Sequence, residues 1–279
     1  MGEADRGEPP AGPMRILSLN TWGGRLHDRL IPYLVEADPD VLCLQEVTRM
    51  ASPPCDWLTY RDGALGLPQR ADLFGDLRRA LPDHEGIFCA AARGSLYDGD
   101  RAVPSDWGIA TFVRRSITVI GQAQDFVHGE FRSDGWGPHP RACNAHAVRL
   151  HDESGLAVTV VQSHGLRDPS GKHDTPARQA QAEALAALAT AVARPAERLV
   201  VCGDLNVLPD SATFAVLGRL GLVDLVVARG HHDTRTRFYA KAGRFADYML
   251  VNPPVAVRSF EVVAQPEVSD HRPLLLDLG

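Results

Sequence analysis

Short apolar runs in this chain repeatedly end on a polar residue of a kind that does chemistry. Met14-Arg15-Ile16-Leu17-Ser18-Leu19 leads into Asn20, Val41-Leu42-Cys43-Leu44-Gln45 into Glu46, and Val158-Thr159-Val160-Val161-Gln162-Ser163 into His164. Leu199-Val200-Val201-Cys202-Gly203 leads to Asp204 and Asn206, Asp247 opens Tyr248-Met249-Leu250-Val251, and Asp270-His271 precedes Leu274-Leu275-Leu276. Runs this short and this rich in β-branched residues read as buried strands. A single carboxylate at a strand end merely meets water there. Six such ends together point to one shared edge where charges converge, and their side chains suit a hard divalent cation and a proton-transferring histidine.

Between the strands, residues 26–37 read as a helix that ends at Asp38-Pro39, since proline disfavours helical geometry in the residue before it. A second helical stretch covers 71–80. A third runs from Pro176 to Ala193, with Thr175 as its cap and proline at its first position. A fourth lies near 211–220. Further strand-like runs fall near 87–91, 107–113, 116–120, 142–150 and 156–163. The order implies a mixed α/β fold in which two sheets pack face to face with helices outside. Residues 1–13, charged and rich in glycine and proline, read as a disordered tail, and 14–279 as one domain. Segments 47–70, 93–106 and 128–141 resist assignment and are expected to be functional or mobile loops.

The formal net charge is −6. With no basic stripe in the chain, nucleic acid stays open as a partner but is not favoured. The five cysteines are odd in number and lack the close spacing of a zinc motif. Cys43 and Cys202 lie inside apolar runs, as buried thiols do, which fits a reducing, cytoplasmic setting. No stretch has the character of a signal peptide, a membrane span or a membrane-binding amphipathic helix.

Asp204 and Asn206 stand two apart. In extended backbone both would point the same way, where a carboxylate and an amide can hold a water and a substrate oxygen; Gly203-Asp204-Leu205-Asn206 also reads as a simple turn. The side chains of Asp270 and His271 diverge as neighbours do, so Asp270 is expected to face a metal. His271 is then expected to be oriented by a different carboxylate, Asp247. A surface ion pair is the plainer reading of either motif alone.

Taken in order, Leu17-Ser18-Leu19-Asn20-Thr21-Trp22, Leu44-Gln45-Glu46, Ser163-His164, Gly203-Asp204-Leu205-Asn206, Ala246-Asp247-Tyr248 and Ser269-Asp270-His271-Arg272-Pro273 resemble the endonuclease/exonuclease/phosphatase superfamily, which includes deoxyribonuclease I. The resemblance spans residues 14–278. It implies a four-layer α/β/β/α sandwich, two mixed sheets flanked by helices, and hydrolysis at phosphorus with Mg²⁺ or Mn²⁺. It also implies that Asn20, Glu46 and Asp270 form the metal site, that Asp204 positions or deprotonates the attacking water, and that Asn206 steadies it. His271 with Asp247 would be the histidine–aspartate dyad. His164 would be the second histidine, with Asp106 a candidate partner, and Arg141 would bind phosphate. Zinc fits less well, for the implied shell has no thiolate.

The segment 165–178 carries Arg167, Lys172, His173 and Arg178 between His164 and a helix N-terminus, which itself attracts phosphate. It reads as a clamp on an anionic substrate, or more plainly as a capped surface turn. In 128–141, His128, Arg132, Trp136, His139 and Arg141 could stack on a nucleotide, or Trp136 could anchor packing. Trp22 and Trp107 are expected in the core and His231-His232 at the surface. The function expected is metal-dependent hydrolysis of a phosphate mono- or diester on a small phosphorylated substrate. A nuclease and an inactive binding protein are the alternatives, and the intact polar set speaks against the second.

Overall fold

A computed structural model describes residues 13–151, 155 and 157–279. Apart from Pro13, the expected tail lies outside the described residues. The first sheet holds eight strands in the order β13-β14-β1-β2-β6-β5-β3-β4. These are β1 (Met14–Asn20), β2 (Val41–Arg49), β3 (Trp57–Asp62), β4 (Leu65–Arg70), β5 (His84–Asp98), β6 (Arg101–Arg114), β13 (Val257–Val262) and β14 (Leu274–Leu278). The second has six, in the order β11-β12-β10-β9-β8-β7, from β7 (Thr118–His128), β8 (Cys143–His151), β9 (Ala157–His164), β10 (Arg198–Asp204), β11 (Val223–Asp224) and β12 (Asp247–Val251).

The period-two alternation of each strand sorts its side chains between two cores. Along β2, Leu42 and Leu44 pack outward with Leu30 and Leu34 of α1 (His27–Ala37) and Leu73 and Leu77 of α2 (Leu73–Ala80). Cys43 faces inward, into the core shared with Val160, Val201 and Met249 of the second sheet. On the second sheet's outer face, Leu185 and Leu188 of α3 (Pro176–Val192) and Leu217 of α4 (Thr213–Gly218) join that same core. The layers are therefore α/β/β/α, as the sequence implies. Thr175 caps α3 by accepting from the Arg178 backbone N–H, with Pro176 in its first turn.

Between the sheets lies a buried polar chain. Gln45 Nε2 donates to Gln162 Oε1 at 3.0 Å, Gln162 Nε2 donates to Thr111 Oγ1 at 2.7 Å, and Thr111 Oγ1 meets His146 Nδ1 at 2.7 Å. Burial alone pushes the His146 imidazole down to about 4.

Two segments expected to be loops are hairpins. Residues 93–106 belong to β5 and β6, paired as far as Asp98 and Arg101, and 57–70 form the β3–β4 hairpin. Their exposed polar positions and Pro104 conceal the strand pattern. Residues 129–141 are irregular, as expected. Trp136 is a packing anchor there: its indole N–H donates to Ser95 O at 3.2 Å, and its ring lies beside Tyr60. Gly94 makes room for it, since a Cβ at that position would fall 2.2 Å from the indole.

Candidate active site

Strand register places the first three groups. Asp204, the last residue of β10, lies opposite His164 at the end of parallel β9 and opposite Asp247 at the start of antiparallel β12. Residues in lateral register share a face, so one row carries His164, Asp204 and Asp247. On the other sheet, Asn20 ends β1 beside Gln45 of β2.

Glu46 reaches the same place by a different device. Gln45 points inward to Gln162, so strict alternation would send Glu46 outward, towards the helices. Instead the pairing of β2 with β6 shifts between Leu44 and Val47, and Glu46 takes φ 55°. A bulge with a left-handed residue re-aims the side chain. Asn20 Nδ2 then donates to Glu46 Oε1 at 3.1 Å and to Asp204 Oδ2 at 3.0 Å, while Asn20 Oδ1 accepts from the Trp22 backbone N–H. Asn20, expected at the metal site, thus clasps two carboxylates through its nitrogen.

His271 Nδ1 lies 2.8 and 2.9 Å from the two oxygens of Asp247. Its Nε2 lies 3.6 Å from Asp204 and 3.8 Å from Asp270. Burial and Arg235 oppose a charge on this ring, but Asp247, Asp270 and Asp204 outweigh them and raise its pKa. Burial likewise opposes charge on Asp204, yet His271, Arg235, His164 and Lys172 hold its carboxyl down at about 2. Asp270 is pushed above the usual carboxylate range, chiefly by burial, with Glu46 and Asp247 adding repulsion against the pull of His271 and Arg235. Ser269 joins this segment to β1 through its hydroxyl, which donates to Asn20 O at 2.7 Å.

His164 Nε2 faces Glu46 Oε1 at 3.9 Å and Asp204 Oδ2 at 3.8 Å, and its ring packs against half-buried Trp107, 5.2 Å between centroids. Trp107, expected in the core, flanks this histidine instead. Trp22 is also half-buried, between Phe238 and Arg25. Asp106 is not the partner of His164: its carboxylate accepts from Arg93 Nε at 2.7 Å and Arg49 Nη2 at 3.0 Å. Those groups line a separate cleft of about 850 Å³ that includes Phe74 and Arg78 of α2. Asn206 does not continue β10 in extended form. It adopts φ 53°, and its Nδ2 donates to Gly165 O at 3.0 Å, locking the loop after His164. Asparagine tolerates that conformation because its short polar side chain bonds locally.

The four cations expected to bind substrate separate. Lys172 sits at the centre's margin: burial lowers its pKa to about 8, Asp204 attracts it, and its Nζ donates to Gly243 O at 3.1 Å and to Phe245 O. Arg178 is buried and donates to His173 O at 2.6 Å and Gly171 O at 2.8 Å. It braces the loop from within, because a buried guanidinium takes the nearest carbonyls. Arg141 is tied to Tyr60 Oη at 2.5 Å and Asp62 Oδ2 at 3.1 Å, on the β3–β4 hairpin. Arg167 is exposed.

Sequence reasoning missed Arg235. It bridges to His271 through backbone pairing, and its Nη1 donates to Asp270 Oδ2 at 3.1 Å and to His271 Nε2. No apolar run precedes it; the only signal was its place between Thr234 and Thr236, whose hydroxyls bond Asp247 N and Ser269 O.

The sequence profile of the Endonuclease/Exonuclease/phosphatase family matches residues 17–271. The chain belongs to this family. No curated protein matches it significantly. Among solved structures, an endonuclease/exonuclease/phosphatase from Bacteroides vulgatus superposes with TM-score 0.66 at 20% identity, covering 96% of this chain and 99% of that one. A mannosyl-6-phosphatase from Bacteroides thetaiotaomicron gives 0.64 at 16% identity, covering 95% and 99%. The human Nocturnin catalytic domain with bound sulfate gives 0.63 at 19% identity, covering 96% and 94%. At these identities the likenesses establish the fold. Endonuclease/exonuclease/phosphatase proteins hydrolyse phosphoesters and generally depend on a divalent metal. Among the described residues, Asp204, Asp247 and His271 offer three donor atoms within 4.8 Å of one another, and no helix is long and apolar enough to cross a membrane.

Proposed function

We propose that the chain is a divalent-metal-dependent phosphoesterase that hydrolyses a small phosphorylated substrate by attack of a positioned water. The observation that carries this reading is the meeting of Asn20, Glu46 and His271 from the first sheet and its flanking segment with Asp204, His164 and Asp247 at the strand ends of the second.

The residues fit a hard cation. Glu46 lies close enough to Asp270 to help raise its pKa, and a dication relieves that repulsion. With oxygen donors and no cysteine in the set, Mg²⁺ or Mn²⁺ is the natural choice. Glu46 and Asp270 would hold the ion, which when bound would neutralise phosphoryl oxygen charge as the ester breaks. Asn20 keeps Glu46 and Asp204 apart and aimed. Asp204, with its carboxyl at about 2, is ionised at neutral pH. That makes it a firm acceptor for a water O–H but a weak proton store, so its contribution is orientation of the nucleophile. Asp247 fixes the His271 ring, and His164, steadied by Trp107, presents a second imidazole to the phosphoryl group. In the reaction, the water oxygen bonds phosphorus as the water gives up a proton, the ester P–O bond breaks, and the leaving oxygen takes up a proton, so that water is divided between alcohol and phosphate. The free cysteines suit a reducing, cytoplasmic environment.

A panel of sugar phosphates, nucleotides, oligonucleotides, plasmid and nitrophenyl esters, assayed with Mg²⁺ and Mn²⁺, tests the reading. Turnover of small phosphate esters supports it. Turnover of nucleic acid alone would make the protein a nuclease, and binding without turnover would make it an inactive member of the fold.

A further inference from the structure

Resting on the phosphoesterase reading, we propose that Arg235, assisted by Lys172, recognises the substrate's phosphate and selects a terminal phosphomonoester over a diester.

The two cations come from different segments and converge on one ring. The Arg235 guanidinium carbon lies 4.4 Å from the Tyr239 ring centre and Lys172 Nζ lies 5.6 Å from it. Both also feel the charge of Asp204. Lys172 is held by the carbonyls of Gly243 and Phe245, and these belong to the same 235–247 segment that carries Arg235 and Asp247. The pair is thus built by the loop that also delivers one half of the dyad.

Arg235 is poorly satisfied for its depth. It is 5% exposed. Among the described residues its guanidinium bonds run through Nη1, to Asp270 and His271, while Nε is buried with no partner. A guanidinium is a planar fork of donors that matches two oxygens of one phosphate. The unused Nε edge is the side on which such a pair of oxygens binds. Lys172 adds a point charge for a third oxygen. Three unesterified oxygens exist on a terminal phosphate, whereas an internal diester has two.

Depth favours the same substrate. Asp204, His271 and Arg235 are 2%, 3% and 5% exposed. With so little of these groups open, a terminal phosphate, which carries a substituent on one side only, is easier to seat against them than a diester, which carries a substituent on both.

The test compares the Mg²⁺-loaded wild type with Arg235→Gln and Lys172→Gln. Substrates are p-nitrophenyl phosphate and bis-p-nitrophenyl phosphate. A second readout is inorganic phosphate binding by calorimetry, with and without metal. Wild type is expected to favour the monoester. Arg235→Gln should lower monoester kcat/KM by about 10–10²-fold, the worth of a charge-assisted hydrogen bond, and lower the diester value by a smaller factor, so that the preference collapses. Phosphate binding should weaken by a similar factor. Lys172→Gln, at a less buried position, should shift both readouts in the same direction by less. Equal loss on both esters, or phosphate binding unchanged in both variants, would overturn the proposal and leave Arg235 as a counter-ion for Asp270. If the wild type hydrolyses neither ester with either Mg²⁺ or Mn²⁺, the phosphoesterase reading itself fails, and this proposal fails with it.

Discussion

The side-chain amide of Asn20, at the end of β1, donates to Asp204, at the end of β10, at 3.0 Å across the gap between the two sheets. The same nitrogen reaches Glu46 at 3.1 Å. One neutral donor therefore sets the spacing of two carboxylates that would otherwise repel, and makes the site depend on how the two sheets are packed.

Removing that donor should cost activity far more than stability. Asn20→Ala is expected to lower kcat by about 10²-fold or more, the scale for losing a preorganised donor beside developing charge. The thermal midpoint should fall by less than about 4 °C, the upper end of the shift for a loss near 1 kcal/mol in a domain of this size. Steady-state kinetics beside a melting curve measures both, and a large melting loss with activity per folded molecule retained would contradict the role.

His271 and Asp247 should behave as one unit. With Nδ1 bonded to both carboxylate oxygens, Asp247→Asn removes the group that fixes the ring, and His271→Gln removes the ring. Each should cost roughly 10²–10⁴-fold in kcat. The double variant should be little worse than the worse single, because cooperating groups are non-additive. Additive losses would mean that the two residues act separately.

Much of this site was legible in the sequence because it sits where strands end. Asn20, His164, Asp204 and Asp247 each interrupt an apolar run at the sheet edge, and register does the rest. What stayed hidden depends on departures from regular structure. Glu46 was legible as a strand-end carboxylate but the bulge that aims it was not, and Asn206 turns away in a left-handed conformation. Asp106 sits next in sequence to Trp107, which does flank His164, but its own side chain serves Arg49 and Arg93 instead. Arg178 and Arg141 read as free cations because a sequence cannot tell a charge that faces solvent from one that braces its own loop. Arg235 lies in an irregular segment with no periodic pattern to mark it. In the fold, the outer part of the β5–β6 hairpin, 93–106, was missed for a related reason: its buried residues Leu96 and Val103 belong to a small separate core, and the polar residues and Pro104 around them leave no apolar run to read.

Acid should destabilise the fold through His146. Its pKa is about 4 in the fold against the ordinary 6.5, lowered by burial, so the unfolded chain takes up the proton first. Stability from this group is complete above about pH 6.5 and is lost as pH falls towards 4. Between pH 7 and 5 the loss is about 2 kcal/mol by linkage. Denaturant titrations at the two pH values should show this loss in the wild type and a smaller one in His146→Gln. An equal pH dependence in both would rule the histidine out as the cause.

The central claim is that Glu46 and Asp270 hold a divalent ion on which phosphoester hydrolysis depends. Its most direct test is turnover of a small phosphate ester after exhaustive dialysis against EDTA, followed by titration with Mg²⁺ or Mn²⁺, in the wild type and in folded Glu46→Gln. The account predicts no turnover without metal, full recovery on titration, and a concentration requirement raised at least about tenfold in the variant, the scale for losing a charged ligand interaction. Full activity of the dialysed wild type in excess EDTA, or an unchanged metal requirement in Glu46→Gln, would contradict it.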